Sequence, residues 1–90
     1  MLERHLAITN TLGLHARAAA QVVRMANRFR SRITLTRDDT GVTANAKSIL
    51  SVLHLAAGVG VKIRLSADGE DEKEAIEAIE RLFVQGFGET

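Results

Sequence analysis

Apolar residues recur in this chain in two rhythms, and in each rhythm they occupy one side of the element only. From Ala16 to about Phe29, the residues Ala16, Ala19, Val22, Val23, Ala26 and Phe29 stand three and four apart, which gathers them on one face of a helix. The alanines near its start favour helix and allow close packing. A second helical stripe, Ala75, Ile76, Ile79, Leu82 and Phe83, runs through Glu70 to Gln85. Acidic residues fill the first turn of that segment, where they complement the positive end of the helix dipole. The other rhythm is alternation, the mark of a strand with one wet face. It appears in Leu2 to Thr9 (Leu2, Leu6 and Ile8, interrupted by Arg4), in Ile33 and Leu35 between Arg32, Thr34 and Thr36, and in Val61, Ile63 and Leu65. Val42 to Asn45 reads as a short strand that closes a hairpin across the turn cluster Asp38 to Gly41. A short helix is expected from about Ser48 to Leu55, ended by Gly58 and Gly60. Elements apolar on one side must cover one another. The order β-α-β-β-α-β-α therefore points to an α+β fold with its helices laid on one face of a four-stranded sheet.

With 90 residues the chain is expected to form one domain over its whole length, 1–90. A domain of that size buries about two-thirds of the surface its unfolded chain exposes, so it has little room for a deep pocket. The absence of Cys excludes a disulfide framework, a thiolate nucleophile and a Cys-based metal site. It also fits a reducing compartment. The formal net charge of +1, from 12 basic and 11 acidic residues, makes no case for nucleic acid or membrane as a partner. The only aromatics are Phe29, Phe83 and Phe87, and none lies on an expected strand as a base-stacking platform. No apolar run is long enough to span a bilayer, and the charged start MLERHLAITN lacks the apolar core of a signal peptide. Arginines crowd residues 17–37 and acids crowd residues 70–80, two faces read as solvated. We expect a cytoplasmic monomer that uses no metal or cofactor. His5 and His54 share no metal-ligand spacing and read as structural or surface residues.

The chemistry gathers where the first strand gives way to the first helix. Asn10, Thr11 and Gly13 break the strand, and His15 falls at or just before the first helical residue. The first-turn N–H groups of a helix have no partner within it, and together with the dipole they favour an anion. Arg17 adds a planar guanidinium suited to phosphate oxygens. A histidine nitrogen can accept a transferred group as a nucleophile. A nucleophile, fixed donors and a mobile cation thus lie within three residues. No Gly-rich phosphate loop, paired carboxylates or Ser-His-Asp set suggests an independent enzyme.

The stretch Leu12-Gly13-Leu14-His15-Ala16-Arg17-Ala18-Ala19 resembles the active-site signature of the HPr family, Gly-Leu-His-Ala-Arg-Pro-Ala. A second stretch, Asn45-Ala46-Lys47-Ser48-Ile49-Leu50, resembles that family's regulatory-serine segment. The element order agrees with the family fold along the whole chain. That fold is an open-faced β-sandwich, a four-stranded antiparallel sheet with three helices on one face. The resemblance implies a phosphocarrier of the phosphoenolpyruvate-dependent phosphotransferase system, serving sugar transport or its regulation. His15, through Nδ1, would take a phosphoryl group from enzyme I and pass it to enzyme IIA-type domains, with Arg17 meeting the phosphate. Ala18 stands where the family has proline. In the first turn of a helix that exchange costs little beyond some rigidity.

Ser48 is expected to cap the short helix, and the resemblance adds a role as the target of an HPr serine kinase/phosphorylase. The same resemblance implies a partner-docking surface, which we assign to Ala16, Ala20, Arg24, Ile49, Leu50 and Leu53; of these Leu53 is the first candidate to turn toward the core instead. The alternative function is an HPr-like regulatory module that docks partners without carrying phosphate. The presence of both His15 and Arg17 argues against it.

Overall fold

The computed structural model describes residues 1–89. Strands β1 (Leu2–Ala7), β2 (Arg32–Arg37), β3 (Thr43–Asn45) and β4 (Lys62–Asp68) form a single antiparallel sheet in the order β1-β4-β2-β3. Helices α1 (Ala16–Ala26), α2 (Ile49–His54) and α3 (Glu72–Val84) cover one face of it, and a 3₁₀ turn spans Gly86–Gly88. This is the expected α+β open-faced β-sandwich with the order β-α-β-β-α-β-α.

The pairing registers align the apolar positions. Leu6 lies opposite Ile63, Ile33 opposite Ala67, and Leu35 opposite both Leu65 and Ala44. These side chains meet Ala19, Val22, Ala26, Ile76, Ile79 and Phe83 from the helices in one buried cluster. Each fully buried aliphatic side chain there contributes about 1.5–3 kcal/mol relative to exposure. The other sheet face is polar. Thr34 and Ser66 share a hydrogen bond of 3.0 Å across the strands, and Thr36 and Thr43 one of 2.9 Å. His5 stands on this open face opposite Arg64, exposed to solvent.

The elements differ from the sequence expectations at their ends, for physical reasons. Helix α1 stops at Ala26 and not near Phe29, because Asn27 caps it: its side-chain amide donates to the carbonyls of Val23 at 2.8 Å and Lys47 at 3.3 Å. Phe29 packs against the core from the following turn. The buried stripe of α1 is Ala18, Ala19, Val22 and Ala26, so Ala16 is exposed and not part of it. Strand β4 runs on to Asp68, past the expected end near Leu65, with Ala67 fully buried between Leu2 and Ile33. Helix α3 begins at Glu72 and not at Glu70. Asp71 has left helical geometry (φ −103°, ψ 26°), and its carboxylate accepts hydrogen bonds from the backbone N–H groups of Arg30 at 2.9 Å and Ser31 at 3.0 Å.

Candidate functional site

The loop between β1 and α1 is shaped by Gly13. Its φ of +66° is a left-handed conformation open mainly to glycine. A Cβ at this position would also meet the Ala57 carbonyl oxygen at 2.6 Å and the Gly58 Cα at 2.7 Å. Gly13 therefore lets the loop lie against residues 57–58, and the Leu14 N–H donates to the Ala57 carbonyl at 2.9 Å. Asn10, buried in the loop that follows β1, donates through Nδ2 to the Gly13 carbonyl at 2.8 Å. The start of α1 is thereby held in place from both sides.

His15 is the N-cap of α1, with extended backbone (φ −77°, ψ −178°), and its side chain makes no capping hydrogen bond. The ring is thus not spent on the helix and turns into an open cleft. Thr9, Asn10, Thr11, Leu12, Ala16, Arg17, Gly88 and Glu89 line that cleft with it. Its side chain retains 29% exposure, enough for a partner to reach. Arg17 is exposed at the mouth and makes no hydrogen bond or ion pair among the described residues. Among the described residues the arrangement offers a ring nitrogen without a hydrogen bond, first-turn N–H groups that the His15 side chain does not cap and a guanidinium in no ion pair, groups of the kind that suit a phosphoryl-sized anion.

The sequence reading did not anticipate Glu89. Its carboxylate meets Nε2 of His15 and accepts a hydrogen bond of 3.0 Å from Asn10 Nδ2. It ionises below the usual carboxylate range, first because of the His15 hydrogen bond, then that from Asn10, with the Arg17 charge adding to both. The signal that could have exposed it is the run Gly86-Phe87-Gly88. An apolar residue between two glycines just past a helix end suggests a chain that turns back to bury it. Phe87 takes a left-handed conformation (φ 58°) and is buried, its ring 5.0 Å from that of Phe83 in an edge-to-face contact.

Ser48 is the N-cap of α2, and its Oγ accepts from the Ser51 N–H at 3.3 Å. On α2, Ile49 and Leu50 are exposed, Leu50 by 77%, while Leu53 is half-buried against the core. The residue anchoring the helix is Val52, which the sequence reading did not single out. On α1, Ala16 borders the His15 cleft, Ala20 is half-buried, and Arg24 lies elsewhere, in a depression shared with Gln21, Met25, Arg28 and Leu82. His54 is exposed on α2. Among the described residues no group of three or more His, Asp or Glu is placed to hold a metal ion, and no helix is long and apolar enough to cross a membrane.

A one-faced sheet whose first helix presents a partly exposed histidine, with one ring nitrogen held by Glu89 and the other without a hydrogen bond among the described residues, beside an exposed arginine, defines a small α+β protein with a histidine site in an open cleft. Comparison with known proteins narrows this class. Residues 2–85 match the family described as "PTS HPr component phosphorylation site". The chain is 48% identical over 89 residues to the phosphocarrier protein HPr of Xylella fastidiosa, covering 99% of this chain and 98% of that one. It is 46% identical over 86 residues to the phosphocarrier protein NPr of Proteus mirabilis, covering 96% and 94%. A crystal structure of HPr-C-His from Thermoanaerobacter tengcongensis superposes with a TM-score of 0.92 at 42% identity, over 100% of this chain and 99% of that one. The chain belongs to the HPr family, the phosphocarrier proteins of the phosphotransferase system.

Proposed function

We propose that this protein carries a phosphoryl group on His15, taken from phosphorylated enzyme I and passed to enzyme IIA-type domains. It acts as a stoichiometric carrier and not as an enzyme, and the whole chain works as one phosphocarrier domain. The observation that carries this reading is the partly exposed ring of His15 at the α1 N-terminus, whose Nδ1 has no hydrogen bond among the described residues, with the exposed guanidinium of Arg17 at the same cleft. A carrier must release what it binds. Exposed helix-end and arginine interactions are each worth only about 0.3–1 kcal/mol, which suits reversible transfer. Ala16, Ala20, Arg24, Ile49, Leu50 and Leu53 are proposed as the docking surface, with Ile49 and Leu50 its apolar centre because both are exposed on α2 beside the Ser48 cap. Phosphorylation of Ser48 by a serine kinase is proposed as its regulator.

The test is incubation with phosphoenolpyruvate and enzyme I, followed by intact-mass measurement. The wild type should gain one phosphoryl group; His15→Ala should fold normally and gain none. Labelling that persists in His15→Ala, or moves to His5 or His54, would sink the assignment. A wild type that binds enzyme I but accepts no phosphoryl group would favour the docking-only module.

A further inference from the structure

We propose that Glu89 is a positioning residue for phosphoryl acceptance: by holding Nε2 of His15 in its protonated form, it leaves the Nδ1 lone pair free to attack phosphorus. The inference rests on the carrier reading above and adds to it a residue, Glu89, 74 positions away in sequence.

The neutral imidazole ring carries one N–H donor and one acceptor nitrogen, and which is which depends on its partners. A carboxylate is acceptor-only, so the nitrogen it meets must bear the proton. The Glu89 carboxylate meets Nε2, and no hydrogen bond to Nδ1 is present among the described residues. The free nitrogen is therefore the one with the lone pair.

Glu89 is not a loose tail residue that happens to lie nearby. Its side chain is only 15% exposed. Its second oxygen takes a hydrogen bond of 3.0 Å from the buried Asn10, whose Nδ2 also holds the Gly13 carbonyl at 2.8 Å. Those two acceptors orient the Asn10 amide so that its Oδ1 is left buried without a partner among the described residues. The backbone carrying Glu89 is fastened too. Phe87 is buried against Phe83, and Gln21 Nε2 donates to the Phe87 carbonyl at 3.1 Å. Gly86 and Gly88 supply the left-handed turns (φ 59° and 75°) that bring the chain back to α1. The carboxylate is ionised at neutral pH, since its ionisation is favoured by His15, Asn10 and Arg17.

The transfer step balances around this pair. The Nδ1 lone pair forms the N–P bond while the bond from phosphorus to the donor's leaving atom breaks, and that electron pair stays with the donor. Nε2 keeps its proton, so the ring becomes an imidazolium whose positive charge faces the Glu89 carboxylate. On release to the next acceptor the N–P electron pair returns to Nδ1 and the ring is neutral again. The phosphoryl group and the carboxylate use opposite ring nitrogens, so they do not compete for one position.

The test uses the full chain with ¹⁵N-labelled histidine, at a pH where the His15 ring is neutral. Nitrogen chemical shifts should show the Nε2–H tautomer dominant in the wild type and its share clearly lower in Glu89→Gln. The rate of phosphorylation by enzyme I should fall about tenfold in Glu89→Gln, the scale of one hydrogen bond to a charged group, and recover in part in Glu89→Asp. An unchanged tautomer ratio in Glu89→Gln would overturn the inference, whatever the rate does, because a merely structural role lowers activity without moving the tautomers. An unchanged rate with a shifted tautomer would overturn it as well. The two readings fail separately. A wild type that enzyme I cannot label strikes the carrier reading, whereas the tautomer measurement needs no enzyme I.

Discussion

Arg17 gives the fold no hydrogen bond or ion pair among the described residues. Its guanidinium is exposed and unpaired among the described residues, and its charge favours the ionised form of Glu89 across the cleft. Arg17→Ala should therefore change stability by under about 0.5 kcal/mol, measured by urea denaturation, while the rate of phosphoryl transfer falls clearly. Arg17→Lys should restore the rate only in part, because an ammonium keeps the charge and loses the planar fork. Equal transfer rates in wild type and Arg17→Ala would refute the assignment. That Arg17 shares a cleft with His15 was legible in the sequence, because it lies two residues away at a helix start and local geometry alone places it there. Glu89 was not. A glutamate near a chain end reads the same in sequence whether it is solvated or paired.

At the scale of the element, α2 shows how six helical residues stay folded while exposing apolar surface. Val52 anchors it, Leu53 packs at the margin, and the Ser48 hydroxyl caps its first turn. At its other end Arg37 Nη1 donates to the carbonyls of Leu55 at 3.0 Å and Ala56 at 3.1 Å. Ser48→Ala should cost about 1 kcal/mol. Phosphorylation acts differently. A phosphate at a helix N-terminus meets free N–H groups and the positive dipole end, so the helix should persist. The same group brings about −1.5 to −2 of charge to the rim of the proposed docking surface, where it opposes desolvation and acidic partners. Ser48→Asp, an imperfect mimic, should keep its melting temperature and raise the enzyme I dissociation constant, more so at low salt. An affinity unchanged at low salt would defeat the electrostatic account. A large drop in melting temperature would mean that Ser48 matters mainly as a cap.

Across the whole molecule, Asp71 ties the start of α3 to the turn between α1 and β2. Its carboxylate accepts from the Ser31 hydroxyl and from the backbone N–H groups of Arg30 and Ser31, and these bonds lower its pKa from 3.8 to about 2. A carboxyl whose folded pKa lies below its unfolded one stabilises the fold above the unfolded value and loses that contribution as pH falls through the folded one. The contribution of Asp71 should thus be complete above about pH 4 and vanish toward about pH 2. Urea midpoints of wild type and Asp71→Asn should differ near neutrality and converge across that window. A difference independent of pH would show that the carboxylate charge is not what holds the two segments together.

The amino-acid sequence by itself determined the element order, the one-sided burial of the sheet and the placing of His15 and Arg17 at one cleft. Each follows from spacings of two to four residues, which the geometry of helix and strand converts directly into faces and neighbours. Element ends were less legible, because they turn on partners far along the chain: Lys47 at the end of α1, and Ser31 at the start of α3. Only the tertiary structure decided that β4 lies between β1 and β2, that Gly13 nests against Ala57, and that a carboxylate from position 89 reaches the ring at position 15. Such contacts carry no period. They depend on the summed path of all the intervening chain, and only the packed core sets that path.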